Sequence, residues 1–188
     1  MKSISFFLLA ALLTSCGSDV LIPKPPTYLR LDLPDHGYTT YDDECPYTLT
    51  LPVIFKVKKV TDANGLTCHK DIDMGPLNGT IHFSFIEMLK PLSDYVNFTN
   101  DKIDEHKIKA TAIRDNKIIN DKNQVYCTFF ELQGSVATPF QFYMTDSVSS
   151  FASGVVYFNS TPNYDSLKPS LDYLKEDLTH MIKNFKWK

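Results

Sequence analysis

Along the last quarter of the chain, apolar residues recur at steps of three and four. Leu167, Leu171, Leu174, Leu178, Met181, Ile182 and Phe185 would share one stripe of a helix. Such a stripe needs a surface to lie on. Just upstream, Phe140-Gln-Phe-Tyr-Met and Gly154-Val-Val-Tyr-Phe are short aromatic and β-branched runs bounded by turn residues, as strands are. The pattern predicts a hairpin capped by a helix.

Earlier in the chain the period changes. Tyr28 to Leu51 is turn-rich, with Asp32-Leu-Pro34, His36-Gly37 and Cys45-Pro46, and strand alternation begins only at Tyr47. Ile54 to Val60 reads as a second strand with Lys56, Lys58 and Lys59 on its wet face. Thr61 to Gly79, holding Asn64-Gly65, Cys68 and Gly75-Pro76, reads as a long loop. Thr80 to Ile86 alternates again, with Ile81, Phe83 and Phe85 on one face and His82 and Ser84 on the other. From Pro91 to about Arg114 the spacing of Leu92, Tyr95, Thr99, Ile103, His106, Ala110 and Ile113 predicts a helix, with a break near Asn100-Asp101 as the alternative. Gln124 to Leu132 is a further strand, placing Val125, Cys127 and Phe129 opposite Tyr126, Thr128 and Phe130. The order β-β-β-α-β-β-β-α lacks regular strand–helix alternation. It predicts an α+β fold, a mostly antiparallel sheet of about six strands with flanking helices.

The first residues do not belong to that pattern. Lys2 precedes an apolar run from Ile4 to Leu13, and about ten apolar residues are too few to cross a bilayer core of roughly 30 Å, so residues 1–15 read as an export signal. Leu13-Thr14-Ser15-Cys16 resembles a bacterial lipobox, in which Cys16 takes a diacylglyceryl group and becomes the first mature residue. The alternative is a plain secretory signal that contains a cysteine. Each buried methylene of an acyl chain contributes about 0.8 kcal/mol, so two or three chains hold a protein firmly. Residues 16–27, with Pro23, Pro25 and Pro26, read as an extended lipidated tether, and residues 28–188 as a single α+β domain. The lone acid in Ser18-Asp19 does not decide which membrane face the domain occupies.

Composition narrows the function classes. The chain has 188 residues and a formal net charge of −3, which argues against nucleic acid as a partner, since that calls for a clustered basic face. Export implies an oxidising compartment, so Cys45 and Cys68 are candidates for a disulfide; the alternative is two reduced, buried thiols. Cys127, on an alternating strand, reads as an inert core thiol.

Other chemistry is sparse. Asp71-x-Asp73 imitates the opening of a calcium loop, but the glycine comes one position early and His82 stands where a bidentate Glu belongs, so no metal is expected. His106 and His180 read as structural. Ser150-Phe-Ala-Ser153-Gly154 lacks the first glycine of a nucleophile elbow, and no phosphate loop is present. No catalytic residue and no cofactor are expected. A domain of this kind would act through a surface, and the candidates are Tyr28 to Tyr47 and the loop after Thr145, with Tyr38, Tyr41 and Phe151 as test positions. Ordinary loop packing is the competing account of both segments.

Ordered motifs run through the whole chain. They are Pro23-Lys24-Pro25, Tyr28-x-Arg30-x-Asp32-Leu33-Pro34, Cys45-Pro46, Ile81-His82, His106-x-x-Lys109-Ala110-x-Ala112-Ile113 and Val125-Tyr126. Gln141-Phe142-x-x-Thr145-Asp146-Ser147, Phe151, Gly154, Tyr157-Phe158-Asn159, Pro162-Asn163-x-Asp165-Ser166-Leu167 and Leu174-Lys175-Glu176-Asp177 through Trp187-Lys188 follow. In these the chain resembles the gliding motility lipoprotein GldD family of the Bacteroidota. It departs from the family pattern at His69, where an aromatic is expected, and at Ser150 and Ser153, where His and Arg are expected. The resemblance implies a palmitate-bearing cell-envelope lipoprotein, held at the outer membrane, that serves gliding and type IX secretion as a non-catalytic component. It implies other gliding or type IX secretion proteins as partners and no cofactor. The expected fold is also similar to that of Mog1/PsbP-like domains, by analogy of fold alone. A generic envelope binding module and an envelope hydrolase are the alternatives, since an active site need carry no local signature.

Overall fold

The computed structural model describes residues 32–63, 65–159 and 164–188. The export signal, Cys16, the tether, Arg30 and Pro162-Asn163 lie outside the described residues.

Among the described residues, ten strands and two α-helices follow in the order β1 (Tyr38–Asp42), β2 (Tyr47–Pro52), β3 (Lys56–Asp62), β4 (Gly65–Asp73), β5 (Gly79–Glu87), α1 (Leu92–Asp104), β6 (Ala110–Asn120), β7 (Val125–Gly134), β8 (Phe140–Thr145), β9 (Ser150–Phe158), α2 (Tyr164–Lys183) and β10 (Lys186–Trp187). Seven strands form one antiparallel sheet in the order β3-β4-β5-β9-β8-β7-β6, and β1-β2-β10 form a second, smaller one. The α+β architecture expected from the pattern is the one observed.

The two faces of the large sheet are covered by different helices. Ile81 and Phe83 of β5, Cys127 and Phe129 of β7, Phe142 and Met144 of β8 and Val156 of β9 join Leu171, Leu174, Leu178, Met181, Ile182 and Phe185 in the main core. On the opposite face Phe130, Leu132 and Val136 pack with Ile103 of α1 in a smaller cluster. Packing on both faces explains why the alternation of β7 fails after Phe129, where Phe130, Glu131 and Leu132 are all buried. Gly154 has a positional reason to be glycine. A Cβ there would collide with the ring of Phe142, its cross-strand partner, which lies flat on β9.

Four expectations are corrected. The helix expected from Pro91 to Arg114 ends at Asp104, without a break at Asn100-Asp101, and Ala110 onward is strand β6, paired with β7 from Ala110↔Gly134 to Asn120↔Val125. Ala110 and Ile113 pack on the small core from strand β6, and the β-branched residues Thr111, Ile113, Ile118 and Ile119 fit the sheet. The long loop expected from Thr61 to Gly79 contains β4, which pairs with β3 and β5. The turn-rich stretch before Tyr47 contains β1, registered with β2 from Tyr38↔Pro52 to Asp42↔Thr48. Finally, α2 lies nearest β2, β6 and β7 instead of capping the β8–β9 hairpin, whose inward side chains reach the same core from below.

Candidate functional site

Two buried polar clusters hold the small sheet against the rest of the molecule. The first begins with the turn after β1. Cys45 there and Cys68 in β4 form a disulfide with Cα atoms 5.5 Å apart, so Cys68 lies on a strand and not in the loop expected for it. Beside it Lys70 of β4 is 1% exposed, its Nζ 3.1 Å from Asp43 Oδ2 and 3.3 Å from Cys45 Sγ. A buried ammonium needs such partners. Asp43 also accepts the Tyr41 hydroxyl at 3.0 Å and the Cys45 backbone N–H at 3.0 Å, and Lys59 Nζ stands 3.7 Å away. Burial alone would raise the Asp43 carboxyl, but the Cys45 N–H, Lys70 and Tyr41 outweigh it and hold the group below the usual carboxylate value. The Tyr47 hydroxyl closes the cluster by donating to the Cys68 carbonyl at 2.6 Å.

The second cluster lies where the segment before β1 crosses α2. Asp177 occupies the inward stripe of α2 between Leu174 and Leu178 and is 1% exposed. Its Oδ1 lies 2.7 Å from His36 Nδ1 and accepts the Tyr38 hydroxyl at 3.1 Å; its Oδ2 has no hydrogen-bond partner among the described residues. Burial therefore dominates and raises the Asp177 carboxyl despite the bonds from His36 and Tyr38. The Tyr38 phenol is pushed up to about 12, by burial first and then by its bond to Asp177. Parallel rings flank the carboxylate, with His36 on Tyr173 at 4.2 Å and Tyr38 on His180 at 3.6 Å. The Tyr173 hydroxyl donates to the Pro34 carbonyl at 3.0 Å. Above these rings is an open cleft of about 490 Å³, lined by His36, Tyr38, Thr179, His180 and charged side chains of α2.

A third feature is the turn after Thr145. Asp146 Oδ1 accepts the backbone N–H groups of Val148, Ser149 and Ser150 at 2.8–2.9 Å, and its Oδ2 accepts the Ser149 hydroxyl. Burial opposes ionisation of Asp146, but these donors outweigh it and hold the group low. The turn presents Val148 at 82% exposure, and the Met88 N–H donates to the Ser149 carbonyl at 2.7 Å, bringing the Leu89 turn, with Leu89 at 91% exposure, alongside.

Of the test positions expected on a partner surface, Tyr38 and Tyr41 are half-buried, each engaged by a carboxylate. Phe151 is a correction: it is 3% exposed, because it is the second residue of β9 and packs between Tyr143 at 5.6 Å and Tyr95 of α1 at 5.5 Å. The exposed apolar residue of that loop is Val148. His106 sits in the turn after α1 with Nε2 3.2 Å from Thr138 Oγ1, and Cys127 is buried, its thiol raised by desolvation. Asp71 pairs with His82 at 2.6 Å across the β4–β5 register, while Asp73 accepts the Gly75 N–H. Among the described residues no three His, Cys, Asp or Glu side chains converge as a metal site. Sequence reasoning missed Lys70, His36 and Asp177. The one signal for Asp177 was an acid on an otherwise apolar stripe.

Together these features define an α+β fold in which two buried polar clusters fasten the N-terminal segment to a sheet and a helix. The chain belongs to the gliding motility lipoprotein GldD family, whose model matches residues 18–187. No curated protein matches it. Among solved structures, the solution structure of cyanobacterial PsbP (CyanoP) from Synechocystis sp. PCC 6803 is similar at 10% identity, over 87% of this chain and 100% of that one, with a TM-score of 0.45.

Proposed function

We propose that the protein is a lipid-anchored component of the gliding motility and type IX secretion machinery, attached through Cys16 at the outer membrane, that works by binding other components and not by catalysis. Membership of the gliding motility lipoprotein family carries this reading. The contact surface is the tip formed by Val148 and Leu89. A turn already fixed by Asp146 loses little conformational freedom on binding, and an exposed apolar pair at its apex supplies area to bury.

Crosslinking in intact cells recovers gliding or type IX secretion proteins joined near residues 146–149, and Val148→Asp with Leu89→Asp abolishes those products together with spreading. Products confined to unrelated abundant proteins, with spreading intact in the double variant, refute the reading. Cys16→Ala abolishes acyl labelling and releases the protein from the membrane; labelling that persists refutes the anchor.

The His36–Asp177 pair favours a second reading, an envelope hydrolase. A carboxylate at Nδ1 orients the imidazole, and Nε2 faces the cleft 3.4 Å from Glu176 Oε2, from which a substrate would have to displace it before it acted as a base. Turnover of an ester, peptide or glycan that is lost in His36→Gln would establish it.

A further inference from the structure

The disulfide joins the small sheet to the large one and does so asymmetrically. Cys45 is 5% exposed, its sulfur against Lys70 Nζ at 3.3 Å, whereas Cys68 is half-buried. A cavity of about 140 Å³ reaches both cysteines from outside, with Glu44, Lys59 and Thr67 in its wall. In thiol–disulfide exchange the thiolate attacks along the accessible side of one sulfur, and the bond breaks faster when the departing sulfur is stabilised as an anion. A neighbouring ammonium is such a stabiliser. Lys70 is already desolvated and held in place by Asp43, so it need not reorganise as the charge develops.

We propose that Cys45–Cys68 is a thiol-exchange site, opened by a dithiol reductant that attacks Cys68 Sγ and releases Cys45 Sγ as a thiolate held by Lys70. One thiolate of the dithiol forms a bond to Cys68 Sγ as the Cys68–Cys45 bond breaks, and the electron pair leaves on Cys45. The second thiol of the reductant, deprotonated, then attacks its own first sulfur and expels Cys68, which takes a proton from water. The dithiol is oxidised to a disulfide and the protein is reduced by two electrons. Opening the bridge removes the covalent tie between the turn before β2 and β4, leaving the Asp43–Lys70 ion pair, hydrogen bonds and packing to hold the small sheet.

The full mature lipoprotein in detergent is exposed briefly to glutathione as the probe, quenched in acid, alkylated and mapped by mass spectrometry. Glutathione is expected on Cys68 and the alkyl group on Cys45; glutathione on Cys45, or no adduct without denaturant, overturns the proposal. Lys70→Met is expected to slow opening by dithiothreitol about tenfold, and an unchanged rate in a folded variant overturns the role of Lys70. Should that variant fail to fold, the pH profile of alkylation in the reduced wild type decides. Cys45 reacting at lower pH than Cys68 supports the proposal, and the reverse order overturns it.

Discussion

Asp43 and Asp177 are both sequestered carboxylates fastening the same N-terminal segment, yet their environments move them in opposite directions. Asp43 receives a buried ammonium, a hydroxyl and a backbone N–H, so its ionised form is favoured. Asp177 receives His36 and Tyr38 on one oxygen and, among the described residues, nothing on the other, so burial wins. Asp177 is also the deeper of the two, so the outcome is set jointly by how much water each carboxylate lost and by whether the donors around it replace that water.

The largest effect tests the Asp43 side. Asp43→Asn strips a fully buried lysine of its counter-charge, and breaking such a pair from one side costs about 3–5 kcal/mol; urea unfolding at neutral pH reads the loss. Replacing Cys45 and Cys68 together with Ser removes a cross-link with a sequence separation of 23, expected to cost roughly 3 kcal/mol on the chain-entropy account. Unfolding of the variant compared with oxidised wild type measures it.

The pH dependence separates the two carboxylates by sign. The folded Asp43 value lies below the ordinary 3.8, so its contribution is present above that value and is lost as pH falls through the folded one. The folded Asp177 value lies above 3.8, so its contribution is fully present below the ordinary value and is lost as pH rises through the folded one. The stability difference between wild type and Asp43→Asn should therefore grow from pH 3 to 7, while that between wild type and Asp177→Asn should shrink. Parallel slopes would break the comparison. Tyr38→Phe gives the smallest change, about 1 kcal/mol for one hydrogen bond. In Asp177→Asn the Tyr38 phenol, otherwise pushed up to about 12, should titrate closer to 10.0 by ultraviolet absorbance.

The same two clusters mark where the sequence was hard to read. In β5 the inward positions are Ile81, Phe83 and Phe85, and the strand is legible from alternation alone. In β4 the inward positions run through Cys68, Lys70 and Ile72, so a buried lysine breaks the apolar period and the strand looks like a loop. Asn64-Gly65 is a hairpin signal in its own right, and β3 and β4 do pair, with Asp62 opposite Gly65 and φ +118° at that glycine. The stretch from Ala110 to Arg114 shows a different ambiguity, for residues spaced to suit a helix face can also lie on a sheet edge when a partner strand is offered.

By itself the sequence determined the α+β class, the strands β2, β3, β5, β7, β8 and β9, the start of α1, the helix α2 and the family, because periodic burial and ordered motifs are local properties of the chain. Tertiary structure alone decided that β6 completes the sheet, that α1 and α2 cover opposite faces, that Phe151 faces inward, and that Lys70 and Asp177 are buried. Each of these depends on a partner far away in sequence. Asp177 meets His36 across 141 positions and Lys70 meets Cys45 across 25. A charged side chain can be buried only where such a partner arrives, which its neighbours in sequence do not reveal.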